Sequence, residues 1–142
     1  MKFKYLKQPS LLDPQKPWIS RPFIPVRLVY KDKYIDVYGL VDSGADASLF
    51  HSSVAKELGI DLESGKRKQF FGITEQGIDV YFHKIRLQIR GFSDSIELEV
   101  GFTNSKGVGA ILGQAGFFEN YHIKFERDKE QVEITPIRKS RK

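Results

Sequence analysis

The chain has 142 residues, 40% of them hydrophobic and 29% charged, which suits one domain with its own core. It has no cysteine, which excludes disulfides, thiolate metal sites and a cysteine nucleophile. Its net charge is +5, part of it in the run Arg138-Lys139-Ser140-Arg141-Lys142. No aromatic residue interleaves with those charges, so the run reads as a solvated tail and not as a nucleic-acid arm. No apolar run approaches bilayer length. Lysines interrupt the start, Met1-Lys2-Phe3-Lys4-Tyr5-Leu6-Lys7, so it has no apolar signal core. The expectation is a soluble, cytoplasmic protein with no membrane contact, a single domain over 1–137 and a basic tail over 138–142.

In chain order, Met1 to Leu6 alternates apolar residues with Lys, the pattern of a short strand with one wet face. Pro9, Pro14 and Pro17 then punctuate an irregular, extended arm that completes 1–22. Phe23 to Tyr30 and Tyr34 to Val41 form a hairpin around Lys31-Asp32-Lys33. A short helix over Val54 to Leu58 is capped by His51, Ser52 or Ser53 and stopped by Gly59. Lys68 to Ile73 and Ile78 to Ile89 flank Thr74-Glu75-Gln76-Gly77 as a hairpin with a polar, flexible tip. Ser95 to Thr103 alternates as another strand, and Val108 to Leu112 is a short apolar strand ending in Gly113. A second small helix is expected over Gln114 to Asn120, with Phe117 and Phe118 on its buried side. Tyr121 to Glu126 and Gln131 to Thr135 make a last hairpin. Many short strands, hairpin turns and two small helices predict a mainly β, closed barrel-like domain.

The hairpin ends in Leu40-Val41-Asp42-Ser43-Gly44-Ala45-Asp46-Ala47-Ser48-Leu49-Phe50. A buried strand here delivers a carboxylate into a tight glycine turn, and a second short strand leaves it. Asp42 is thus held at the tip of rigid structure, where a catalytic group belongs. Gly44 allows close backbone approach to a ligand, and the Ser43 hydroxyl can lock the turn to a neighbouring loop. Asp-Ser-Gly also occurs by chance in surface turns capped by Asp. The apolar flanks on both sides favour the functional reading here.

This stretch resembles the catalytic loop of the retroviral-type aspartic proteases, the retropepsin-like family. Ile111-Leu112-Gly113 is similar to the apolar-apolar-Gly strand that packs beside that loop, and Phe70 to Ile78 lies where the family's flap hairpin stands. Trp18 to Pro22 is similar to the Trp and Arg-Pro near the start of viral members. The resemblance covers roughly residues 18–135. It is stronger to the cellular and bacterial single-domain branch, because the chain is longer than the viral enzymes and carries Ser43 where Thr is usual in viruses.

The resemblance implies a retropepsin-like closed β-barrel and an aspartic endopeptidase. Hydrolysis by carboxylates needs two of them around one water, one ionised and one protonated. The chain has a single Asp-Ser-Gly, so the family's solution is implied: a C2 homodimer with Asp42 from each chain at the axis. Ser43 and Gly44 would support the loop, with Ser43 donating across the axis. Ala45, Asp46 and the flap residues Phe71, Gly72, Ile73 and Gly77 would hold an extended polypeptide substrate. Ile111, Leu112 and Gly113 would pack the loop, and no cofactor or metal is called for. One departure stands out: viral members carry Arg after the Ile-Leu-Gly element, paired with the Asp trailing the loop. Gln114 stands there in this chain, which leaves Asp46 without that partner and makes Arg21 a candidate replacement, from the same or the other subunit.

Other chemistries are weaker. His51, His83 and His122 have no metal-ligand spacing. Gly107-Val108-Gly109 followed by Gly113 lacks the strand-to-helix context of a dinucleotide fingerprint, and Ser43 is in no Gly-x-Ser-x-Gly elbow. Two rival readings stay open: a non-catalytic peptide-binding module on the same fold, and a nucleic-acid-associated protein acting through the basic tail.

Overall fold

The computed structural model describes residues 1–10, 14–70 and 77–138. The flap-tip expectation at Phe71, Gly72 and Ile73, and the tail from 139 onward, lie outside them. In order the strands are β1 (Lys2–Lys4), β2 (Leu6–Pro9), β3 (Trp18–Arg21), β4 (Phe23–Tyr30), β5 (Lys33–Val41) and β6 (Leu49–His51). The helix α1 (Ser52–Glu57) follows, then β7 (Lys66–Phe70), β8 (Ile78–Ile89), β9 (Ile96–Thr103), β10 (Ala110–Leu112), β11 (Tyr121–Glu126) and β12 (Gln131–Pro136).

Six strands, in the order β4-β5-β10-β6-β9-β8, close into a barrel through the β4–β8 pairing. The alternation that marked β4 as a strand is the pattern that fills its interior: Ile24, Val26 and Leu28 are fully buried. They meet Ile85, Leu87 and Ile89 of β8 and Leu98, Val100 and Phe102 of β9 in one core. Strand β8 is long enough to serve three neighbours. Its start pairs with β7, its middle with β9, and its end with β4 in the register Val26↔Ile89 to Val29↔Arg86. The α1 face of Val54, Ala55 and Leu58 packs into the same core. The His51 ring nitrogen Nδ1 caps the helix by accepting from Ser53 N–H at 3.1 Å.

Three expectations need correction. The proline-punctuated arm is not irregular: β2 and β3 form an antiparallel hairpin, Leu6↔Arg21 to Pro9↔Trp18. Pro9 sits at the end of its strand and Pro17 just before β3, positions where a missing N–H breaks no ladder. The strand expected over Met1 to Leu6 is in fact two strands, because β1 pairs with β12 while β2 turns to β3. The second expected helix is only a 3-10 turn, Phe118–Asn120. Gly116 adopts φ +83°, outside the right-handed helical region, and its N–H donates to Glu119 Oε1 at 3.0 Å.

One carboxylate ties the barrel's closing seam. Asp36 on β5 accepts two hydrogen bonds from Arg27 on β4, at 2.8 and 3.0 Å, and a third from Arg90, just past β8, at 2.6 Å. The Arg27 hydrogen bond, opposed by partial burial and helped by Arg90, holds the Asp36 carboxyl at about 2, below its usual 3.8. A carboxyl lowered on folding stabilises the fold above its unfolded value and ceases to do so as pH falls through its folded value. Melting curves of wild type and Asp36→Asn should therefore be separated by a constant gap at neutral pH. That gap should narrow between pH 3.8 and about 2. A gap that stays constant down to that limit would show that the seam charge contributes no pH-dependent stability.

Candidate active site

The loop 42–48 is positioned by one strand. The strand entering it, β5, runs parallel to β10 (Ile111↔Leu40, Leu112↔Val41), and the strand leaving it, β6, pairs antiparallel with the same β10 (Ala110↔Phe50, Ile111↔Leu49). Strand β10 thus lies between the two ends of the loop and pins both. Leu112 is fully buried, and its carbonyl accepts from Asp42 N–H at 3.0 Å. On the other side of β5, Pro22 O accepts from Val41 N–H at 2.9 Å.

Within the loop, Ala45 N–H donates to Asp42 O at 3.2 Å, and Gly44 N–H donates to the Asp42 carboxylate Oδ1 at 3.0 Å. The carboxylate is thus oriented by its own turn, an Asx geometry. Its second oxygen has no hydrogen-bond partner among the described residues, and Asp42 is half-buried. Ser48 is fully buried, and its hydroxyl oxygen accepts from Gly113 N–H at 3.0 Å. Without that acceptor the Gly113 N–H would be buried and unsatisfied, a cost of about 1–3 kcal/mol. Gly113 also has no room for a side chain, since a Cβ there would lie 2.3 Å from Ala47 O and 2.7 Å from Ala45 O.

The residues singled out in the sequence are placed as follows. Asp42, Ser43, Gly44, Ala45 and Asp46 form the loop, and Ile111, Leu112 and Gly113 pack beneath it. Ser43, Gly44 and Asp46 are exposed. Among the described residues, the Ser43 hydroxyl and the Asp46 carboxylate have no partner. Arg21 is exposed on β3, and no ion pair joins it to Asp46 among the described residues. Gly77, just before β8, has φ +75° and is half-buried. The β7–β8 hairpin stands beside the loop, because Phe70 and Phe82 share an apolar cluster with Leu49, Val80, Ile111 and Ala47.

Two features were not legible in the sequence. A groove of about 580 Å³ is lined by Phe23, Tyr38, Leu40, His51, Gly109 and Ile111 among others, and by no residue of the loop 42–48. Gln114 is bonded to the loop twice: its N–H donates to Ala45 O, and its side-chain Nε2 donates to Ser43 O, each at 2.8 Å. Its acceptors lie about seventy residues away in sequence, so no local pattern announces them.

No known family profile and no curated protein matches this sequence. Among solved structures, the chain is similar to a retropepsin-like aspartic protease from Rickettsia conorii, with TM-score 0.63 and 12% identity over 95% of this chain and 98% of that one. It is also similar to the retroviral protease-like domain of Ddi1 from Leishmania major, with TM-score 0.54 and 15% identity over 81% of this chain and 95% of that one. At such identities the likeness is one of architecture, and it extends over nearly the whole of both solved chains. The chain has the fold of the retropepsin-like aspartic proteases.

Proposed function

We propose that the chain is an aspartic endopeptidase that works as a homodimer, with one Asp42 from each protomer around a single water. The observation that carries this reading is the Asp42 carboxylate itself: one oxygen is fixed by Gly44 N–H, the other has no partner among the described residues, and the loop is pinned from beneath by β10. Two such carboxylates in contact cannot easily both ionise, so they hold one proton between them. The ionised one takes a proton from the water, whose oxygen attacks the scissile carbonyl carbon. The protonated one gives its proton to the carbonyl oxygen. The resulting tetrahedral diol gives one hydroxyl proton to the ionised carboxylate as its C=O re-forms and its C–N bond breaks, and the amine leaves with the proton held by the other carboxyl.

The remaining roles are those that the resemblance to the family implies. Ser43, exposed at the tip, would donate across the two-fold axis. Ala45 and Asp46 would present polar groups to an extended polypeptide, and the β7–β8 hairpin with Phe71, Gly72, Ile73 and Gly77 would close over it. Arg21 of one subunit is the candidate partner for Asp46 of the other.

The test is incubation with an unstructured protein across the pH scale, with the fragments read by mass. Wild type should cut with a bell-shaped profile centred in acid, since the dyad fails when both carboxylates are protonated and when both are ionised. A folded Asp42→Ala protein should not cut. A rate still climbing in the alkaline range, or cutting by Asp42→Ala at the wild-type rate, defeats the reading. Peptide binding without cutting would favour the non-catalytic module.

A further inference from the structure

We infer that Gln114 is a positioning residue that acts on the Asp42 carboxylate through the Ser43–Gly44 peptide group. That one planar amide is held at both ends: its C=O accepts from Gln114 Nε2 at 2.8 Å, and its N–H donates to Asp42 Oδ1 at 3.0 Å. Because Ser43 O can only accept, the Gln114 atom facing it is the nitrogen. A hydrogen bond to the carbonyl of an amide polarises it and strengthens its N–H as a donor, so the two bonds reinforce each other. The Gln114 N–H to Ala45 O bond, at 2.8 Å, and the Ala115 N–H to Asp46 O bond, at 2.9 Å, keep the Gln114 backbone in register with the loop. Gln114 therefore fixes the plane of the peptide that aims the carboxylate and strengthens the N–H bond that the carboxylate accepts. A cation at this place would add charge to the site, whereas the neutral amide supplies a donor alone.

The inference rests on the peptidase reading for its catalytic meaning but not for its physical test. Titratable groups on and around the loop are Asp42, Asp46 in the loop itself, His51 at the end of β6, Arg21 next to Pro22, and the second copy's Asp42 in the proposed dimer. The neighbouring stretch from Ile111 to Phe118 contributes none. Comparing variants that leave all of these in place isolates the amide.

Gln114→Met keeps the length and neutrality of an exposed side chain and removes the donor. In ¹⁵N-labelled protein the Gly44 amide resonance should move in Gln114→Met, because its peptide group loses the hydrogen bond that holds and polarises it. Gly44 N–H should exchange faster with solvent. The acid limb of the hydrolysis profile should move to higher pH, with kcat lower on the order of tenfold. A Gly44 amide resonance and exchange rate identical to wild type overturn the clamp. A wild-type protein that cuts no peptide, while the Gly44 resonance and exchange rate still change in Gln114→Met, leaves the clamp standing and removes the peptidase reading.

Discussion

Asp42→Asn should remove hydrolysis from a dimer that still assembles. Asn keeps the shape of Asp and an oxygen able to accept from Gly44 N–H, so the loop retains its turn. It cannot take a proton from water, and loss of that acid–base step alone costs about 10²–10⁴-fold. It also removes the repulsion between two facing carboxylates, which favours association. Equal mixing of wild-type and mutant chains, followed by full subunit exchange, leaves about one quarter of dimers with both aspartates if pairing is random. Activity per total dimer should fall to about that fraction, below the half expected for independent monomers. Diluting wild type alone should lower specific activity as dimers dissociate. Activity linear in the wild-type fraction, together with a monomer by sedimentation, would end the shared-site mechanism.

How much of this was readable without coordinates depends on distance along the chain. The Asp42 turn and strands β4, β8 and β9 were visible, because their signals are local: alternation over a few residues, or an apolar run into Asp-Ser-Gly. The β2–β3 hairpin was not. Proline argues against a strand by local rules, and only the partner strand shows that Pro9 and Pro17 occupy positions where the lost N–H is harmless. The expected helix after Gly113 failed because the left-handed backbone at Gly116 and the Glu119 side chain together replace a helical turn. Ser48 looked like any polar loop residue, yet its fully buried hydroxyl serves Gly113 sixty-five positions away. Gln114 was visible as a departure from the viral pattern, but not as a donor to Ser43.

The largest loss of stability is expected from Leu112→Ala. Leu112 is fully buried between β5 and the core and lies directly beneath the loop. Truncation should cost about 2–5 kcal/mol, the usual range for a buried Leu with partial collapse of the cavity, and lower the melting temperature on the order of 10 °C. The site also has a built-in counterpart. A Cβ on Gly39 would meet Leu112 Cδ1 and Cγ at 2.9 Å. Gly39→Ala alone should therefore destabilise by roughly 1–3 kcal/mol through overpacking. In the Leu112→Ala background the added methyl enters the space left behind, so the double mutant should be more stable than the sum of the two losses predicts. Denaturant midpoints of the four proteins measure this coupling. Strict additivity would show that Gly39 and Leu112 do not share a packing site.

The Asp36 staple has a consequence for how such an enzyme would meet acid. Its carboxyl stays ionised down to about pH 2. A catalytic dyad must hold one proton and leave one site free, and acid fills the free site first. The charge contact that joins Asp36 to Arg27 and Arg90 therefore persists through mild acid, the range in which the proposed dyad would work.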